Sequence, residues 1–263
     1  MKRVILTSLE YGLAFGVDRA LRDLAAGGRI SAIGCLVTSE LWPLEAQALR
    51  QSIEEGQGRT RAGVAITLSY PFEPASEEGK VTFGNPFPKP LKSRLQGVLR
   101  QHPKESVRAE IGAQLALFAE HFGREPDFVT LHFDTPLTAR IAKALTESMV
   151  ERSMNKVLIL APLSGTRADH ILSRRAASRH LTATDGILYW PRTEEIDELR
   201  QFVVGTMSEQ PDNVVAVCFP GEVDDRLRRF ESKKMQSVRS AHLDFLNSDL
   251  FLSLQDERGI FLF

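Results

Sequence analysis

The chain has 263 residues, with 33 basic and 34 acidic side chains, so it has the length of one large α/β domain and almost no net charge. This balance excludes a field of one sign that would attract nucleic acid, and we expect no nucleic-acid partner. No uncharged apolar run reaches the roughly 18 residues that a membrane span needs. The first apolar run is too short for a signal peptide, and Cys35 and Cys218 lie in apolar runs, so we expect a cytoplasmic protein.

Short apolar runs rich in β-branched residues recur along the chain and predict strands at 3–7, 32–38, 63–68, 128–133, 156–161, 186–190 and 214–219. Most are nearly continuous rather than alternating, which is typical of strands buried on both faces of a parallel sheet. Amphipathic stretches between them predict helices at 17–26, 42–55, 104–122, 137–152, 167–180, 193–208 and 224–246.

This alternation predicts a single α/β domain over residues 1–263, closed as a (β/α) barrel of about seven parallel strands. The alternative is an open doubly wound sheet, but the residues after the first strand, 8–12, lack the glycine-rich turn that usually follows there. In a barrel the functional pocket lies at the carboxyl ends of the strands. The apolar helix faces do not separate core packing from a subunit interface, so a homodimer stays open.

The segment near 69–105 is too long for an ordinary connection and predicts a lid-like insertion. It contains Phe72, Phe83 and Phe87 among several prolines. The phenylalanines indicate partial packing, and the alternative is a disordered surface loop.

Four stretches resemble, in order, the motifs of one known family. Val4-Ile-Leu-Thr-Ser-Leu-Glu-Tyr-Gly, followed by Gly16-Val-Asp, is similar to a strand with Asn-Ala-Asp-Asp-Phe-Gly, then Gly-Val-Asn and a helix. Gly63-Val-Ala-Ile-Thr-Leu is similar to Gly-Leu-His-Leu-Thr-Leu, and 110–127 to the helix before a His-rich strand. Cys218-Phe-Pro-Gly is similar to a His-Pro-Gly element. These are the motifs of the YdjC-like carbohydrate deacetylases, also called the ChbG/HpnK type, and the resemblance covers nearly the whole chain.

The resemblance implies a metal-dependent hydrolase that removes an acetyl group from an amino sugar. Such a reaction uses a divalent cation to polarise the carbonyl and acidify a water, and a carboxylate as general base. Most of the family's site positions fall here on side chains without this chemistry. The presumed base falls on Leu9, and three histidines fall on Ala65, Pro136 and Phe219.

Three of the implied positions stay polar. Glu10 takes the place of a ligand aspartate, His132 is retained, and Asp134 replaces the middle histidine of the His-rich strand. Together they would form a two-carboxylate, one-histidine metal set. Otherwise, His132 bonds a neighbouring backbone group, Glu10 lies near the N-terminus of the following helix, and Asp134 shapes a turn.

Two further groups are weaker candidates. Asp169, His170 and His180 lie on a helix flanked by arginines at 167, 174, 175 and 179, which indicates a solvated basic face or a binding patch for an anionic ligand. The small polar residues Ser164-Gly165-Thr166 follow the fifth strand at the pocket end.

Three functions are consistent with this pattern. The first is a homologue that has lost metal hydrolysis, needs no cofactor and binds a small sugar-like ligand. The second is a divergent hydrolase that holds zinc or magnesium at Glu10, His132 and Asp134. The third is a structural or assembly subunit. We favour the first over the second.

Overall fold

The computed structural model describes residues 2–89, 103–161, 167–184 and 186–262. Strands and helices alternate along these residues, and the paired strands run parallel, which confirms the predicted α/β fold class of the (β/α)-barrel type. The elements are, in chain order, β1 (Lys2–Tyr11), α1 (Phe15–Ala26), β2 (Ala32–Cys35), α2 (Trp42–Glu55), β3 (Arg61–Ile66), α3 (Glu77–Phe83), α4 (Lys104–Phe122), β4 (Phe128–Leu131), α5 (Ala139–Glu151), β5 (Leu158–Leu160), α6 (Arg167–Ala177), β6 (Thr182–Ala183), β7 (Ile187–Tyr189), α7 (Ile196–Gln201), β8 (Val214–Val217), α8 (Leu227–Phe230), α9 (Lys233–Asn247), α10 (Asp249–Arg258) and β9 (Ile260–Leu262).

The first of two compact units comprises Met1–Gly34, Leu44–Ala62 and Ile187–Phe263. Its central strand, β1, pairs with β8 from Val4 opposite Val214 to Thr7 opposite Val217. β1 also pairs with β9, and β8 pairs with β7. The apolar side chains of β1, and those of β8 after Val214, are buried and form the core of this unit.

The second unit comprises Cys35–Pro43 and Gly63–Gly186. Its strands neighbour one another in the order β3, β4, β5, β6. Helix α4 packs against α5, and α5 packs against α6. Trp42 stacks on Phe118 with ring centroids 5.3 Å apart and donates to the Leu117 carbonyl.

The predicted lid-like insertion is described up to Lys89, and its remainder to residue 102 lies outside the described residues. It contains helix α3, and Phe72 and Phe87 are buried, so this part is packed as the phenylalanines predicted. The buried carboxylate of Glu110 in α4 accepts from the backbone amides of Ala75 and Ser76 at 2.9 Å. These bonds tie the insertion to helix α4 of the same unit. Its action as a lid stays a prediction.

Two predicted elements have different bounds in the structure. Strand β1 continues beyond residue 7 to Tyr11, because Ser8 and Glu10 interrupt the apolar run in the sequence although both are buried in the fold. The helix predicted over 224–246 is two helices, because Glu231 is extended and Ser232 begins α9 by accepting from the Met235 amide.

Other differences are smaller. The helix predicted at 193–208 begins at Ile196, and its second half, Phe202–Met207, is a π-helix. The sequence prediction did not include α3, β6 and α10, whereas β9 lies where residues 257–262 resemble the family's closing strand. Residues 164–166, singled out in the sequence, lie outside the described residues. None of the described helices has the length and apolarity needed to cross a bilayer.

Candidate functional site at the end of strand β1

Glu10 is a carboxylate buried inside a strand. It is 2% exposed, and its neighbours Leu9 and Tyr11 are also buried. An ionised carboxylate at such a position is very unfavourable unless it is paired and hydrogen-bonded. Its environment therefore has to supply a cation.

Arg239, from helix α9 in the same unit, is that cation. Its Nη1 donates to Glu10 Oε2 at 2.8 Å and its Nη2 to Glu10 Oε1 at 3.0 Å, so both carboxylate oxygens are held by one guanidinium. The side chains are 0% and 3% exposed. This two-point geometry is the strong form of an arginine–carboxylate pair.

A second carboxylate completes the clamp. Arg239 Nε donates to Glu231 Oε2 at 2.7 Å, and Nη2 also reaches Glu231 Oε1. Burial alone would lower the pKa of Arg239, but the charges of Glu10 and Glu231 outweigh it and raise that pKa, so the guanidinium stays charged. We call Glu10, Arg239 and Glu231 the arginine clamp.

The loop after β8 lies directly over this clamp. The amide of Gly221 donates to the Arg239 carbonyl at 3.3 Å. A Cβ on Gly221 would lie 2.9 Å from Val17 Cγ2 and 3.4 Å from Arg239 Cδ. Glycine is therefore required here because backbone and side chains approach one another closely.

Three of the four hydrocarbon residues at the family's donor positions are packed in the core, and the fourth, Pro136, is half-buried. Leu9, Ala65 and Phe219 are each no more than 1% exposed. The ring of Phe219 is covered by the Arg192 guanidinium, whose Cζ lies 5.1 Å from the ring centroid. None of these side chains carries an atom that could bind a metal.

His242 holds the backbone of this loop. Its Nδ1 accepts from the Phe219 amide at 3.1 Å, so the proton resides on Nε2, which donates to the Pro191 carbonyl at 3.0 Å. Burial lowers the pKa of His242 to about 4, with a further contribution from Arg239. The imidazole is neutral at physiological pH and acts as a brace between two loops.

Asp18, in the first turn of α1, is a fully buried acid. Its Oδ1 accepts from the Gly12 amide at 2.6 Å, and its Oδ2 has no hydrogen-bond partner among the described residues. Burial raises its pKa to about 8, and the charges of Glu45 and Asp224 add to the effect, whereas the Gly12 amide and Arg22 oppose it. Asp18 is therefore mostly protonated at neutral pH and resembles an amide in shape and charge.

His132 and Asp134 belong to the second unit. His132 is 5% exposed, its amide donates to the Ile66 carbonyl at 2.9 Å, and its ring lies against Phe72 and Phe133. Thr135 closes a turn by donating from its amide to the His132 carbonyl at 2.8 Å. Asp134 is half-buried within that turn.

Across residues 2–89, 103–161, 167–184 and 186–262, no group of three or more His, Cys, Asp or Glu side chains is arranged to hold a metal ion. Both carboxylate oxygens of Glu10 are engaged by Arg239. A three-ligand set of Glu10, His132 and Asp134 stays a prediction.

Residues 3–257 match the family described as YdjC-like protein. The chain belongs to the YdjC-like family. This confirms the resemblance inferred from the strand-end motifs. No curated protein sequence matches this YdjC-like chain.

Solved structures share the fold of this YdjC-like protein. A candidate cellobiose-phosphate cleavage protein from Enterococcus faecalis V583 is similar with a TM-score of 0.74 and 18% identity, over 100% of this chain and 97% of that chain. A peptidoglycan N-acetylglucosamine deacetylase is similar with a TM-score of 0.50 and 11% identity, over 99% of this chain and 85% of the other. At these identities the likeness concerns the fold.

Proposed function

We propose that this YdjC-like protein has lost metal-dependent deacetylation and binds a small sugar-containing ligand without a metal. The observation that carries the proposal is the arginine clamp, because it occupies both oxygens of Glu10, the residue at an implied ligand position. The ligand class rests on family membership and on the sugar chemistry named for the two structural neighbours.

The donor set at this position does not fit a divalent cation. A metal that used Glu10 would have to displace Arg239 or sit beside its positive charge. Breaking a buried ion pair costs about 3–5 kcal/mol, which corresponds to roughly a hundred- to several-thousandfold in affinity. Leu9 and Ala65 offer no donor to compensate. We therefore propose that no divalent cofactor resides there.

Zinc titration of the purified protein tests this part of the proposal. We expect no stoichiometric zinc in the wild-type protein or in an Arg19→Met control, which alters an exposed arginine in the same unit. One bound zinc per chain that disappears in both Glu10→Gln and His132→Gln would refute the loss of the metal site.

Ligand binding is tested separately, by calorimetric titration with N-acetylglucosamine and its β-linked dimer. We expect saturable binding of these sugars. EDTA at about 1 mM should leave this binding unchanged, because removing metal affects only sites that bind a metal. Acetate released from the same sugars would refute the loss of hydrolysis. If the protein neither binds these sugars nor releases acetate from them, the result would favour a structural or assembly subunit.

A second candidate function is a divergent hydrolase with a rebuilt site. It is favoured by the presence of His132 and Asp134 together at the end of β4, next to the packed insertion. This candidate predicts zinc- or magnesium-dependent release of acetate and its loss in Asp134→Asn. The buried thiols of Cys35 and Cys218, neither of which is in a disulfide among the described residues, support our proposal that the protein acts in the cytoplasm.

A further inference from the structure

A cluster of positive side chains lies in the second unit, around a single carboxylate. The ammonium of Lys104 is 3.4 Å from Glu147, that of Lys143 is 3.8 Å away, and the guanidinium of Arg179 is 4.0 Å away. Three cations thus share one anion. We call these four residues, together with Arg175, the cationic cluster.

Three neighbouring helices bring the cluster together. Lys104 begins α4, Lys143 and Glu147 lie one turn apart on α5, and Arg175 is near the end of α6, shortly before Arg179. Since α4 packs against α5 and α5 against α6, residues about 75 positions apart in sequence meet on one face. The convergence is a property of the fold and not of a local charge run.

The side chains are partly withdrawn from water. The exposed fractions are 36% for Lys104 and Lys143, 29% for Arg179 and 19% for Glu147. Such charges are screened less than those on a fully solvated face. They can still be reached by a small ligand.

The three positive charges outnumber the single carboxylate that lies within 4.0 Å of each of them. The adjacent ammonium of Lys104 lowers the pKa of Lys143, Arg175 adds to the effect, and Glu147 opposes it only in part. Close like charges are unfavourable. An added anion would relieve this repulsion.

We propose that the cationic cluster is a binding site for a small phosphate-bearing ligand. A phosphate presents several acceptor oxygens and up to two negative charges, so it can accept from lysine and arginine donors on different helices at once. A monocarboxylate would neutralise less of the excess and offers fewer acceptors. Glu147 competes with the anion for the same donors and thereby sets its affinity.

The inference of a phosphate site does not rest on the proposed sugar binding. It also uses no residue of the arginine clamp, which lies in the other unit. It also changes the interpretation of the arginine-rich helix. His170 and His180, which the sequence placed in a candidate patch, do not form the cluster; Arg175 and Arg179 do, with partners from α4 and α5.

Titration with inorganic phosphate, followed by protein NMR or calorimetry, tests the proposal on the full chain. We expect saturable binding in the wild-type protein, weakened about threefold by Lys143→Ala and by Arg179→Ala, as expected for loss of one partly exposed charge contact. Removing the competing carboxylate by Glu147→Gln is expected to strengthen binding by a similar factor. Opposite responses to opposite charge changes identify the site.

Two matched controls make the same charge changes on helix α2. Arg50→Ala and Glu54→Gln alter an exposed ion pair in the other unit and are expected to leave phosphate binding unchanged. Thermal melting of each variant verifies that it is folded. Equal effects of Arg50→Ala and Arg179→Ala would overturn the proposal, because they would indicate a response to net charge alone. No saturable binding in the wild-type protein and Glu147→Gln would also overturn it.

A parallel titration with glucose 6-phosphate distinguishes the sources of the phosphate group. Tighter binding than that of inorganic phosphate, weakened by Arg179→Ala, assigns the site to a phosphate monoester. Equal affinities assign it to phosphate itself. Both results support the proposal, whereas sensitivity to Arg50→Ala in either titration contradicts it.

Discussion

Replacing Asp18 by asparagine is expected to stabilise this protein at neutral pH. Asp18 is 0% exposed, and burial raises its pKa to about 8 from 3.8. The folded protein therefore keeps a proton that the unfolded chain releases. Asparagine keeps the oxygen that accepts from the Gly12 amide and never has to take up that proton. It is also the residue at the corresponding place in the family motif that the sequence resembles.

The magnitude follows from the two pKa values. Each pH unit between the unfolded pKa of 3.8 and the working pH lowers the stability contributed by this group by about 1.4 kcal/mol, up to the folded pKa of about 8. The contribution is thus complete below pH 3.8 and is lost as pH rises towards 8. At pH 7 the loss is about 4 kcal/mol. An imperfectly satisfied amide hydrogen costs about 1 kcal/mol, so the expected net gain is about 3 kcal/mol.

Urea denaturation of wild-type and Asp18→Asn protein at pH 4, 5.5, 7 and 8.5 measures this difference, from just above the ordinary pKa of 3.8 to above the folded pKa of about 8. We expect the gain to grow from near zero at pH 4 to about 3 kcal/mol at pH 7 and to level off only above the folded pKa of about 8. Asp23→Asn, an exposed change on the same helix, is expected to stay within about 0.5 kcal/mol of the wild-type protein at every pH. A gain that is independent of pH, or no gain at pH 7, would show that Asp18 is ionised in the folded protein.

Three further changes test the remaining polar contacts. Arg239→Met leaves Glu10 and Glu231 buried without their cation. It is expected to lower the free energy of unfolding, measured by urea denaturation, by about 3–5 kcal/mol. A loss below about 1 kcal/mol would contradict a stabilising role of the arginine clamp. His242 has a folded pKa of about 4 against an ordinary 6.5. Its contribution to the free energy of unfolding is therefore complete above pH 6.5 and falls by about 3 kcal/mol as the pH drops to 4. His242→Gln should flatten this part of the stability–pH curve, and an unchanged slope would contradict the lowered pKa. Glu110→Ala removes the carboxylate that accepts from the backbone of the insertion. We expect proteolytic cleavage within residues 70–89, measured by mass spectrometry, to increase by about tenfold or more. Unchanged cleavage would show that other contacts hold the insertion in place.

The strands and most helices were predictable because their signals are local. A continuous apolar run or a 3.6-residue period is visible within about ten residues, and β8 or α4 follow from such patterns. The split of the last long helix was missed because its signal is a single side chain, Ser232, that caps α9 within a uniformly charged stretch. Strand β1 was predicted too short because the polarity of Glu10 conceals its burial.

At the candidate site, the sequence predicted only which positions lack metal-binding groups. The sequence identifies Leu9 and Ala65 as side chains without metal-binding atoms, and the structure places both in the core. It does not identify the partner of Glu10, because Arg239 is 229 residues away and lies among other arginines and lysines. A long-range pair between one of many acids and one of many bases leaves no periodic pattern.

The arginine clamp changes how the retained Glu10 should be interpreted. A carboxylate buried beside Leu9 and Tyr11 needs a positive partner whatever the protein does, and either a metal or a guanidinium can provide it. Arg239 meets that need with two hydrogen bonds, and Glu231 accepts two more from the same guanidinium. The presence of Glu10 is therefore explained by the stability of the clamp and does not by itself argue for a metal. A hydrolase on this chain would have to be demonstrated through His132 and Asp134, whose roles the contacts of Glu10 do not determine.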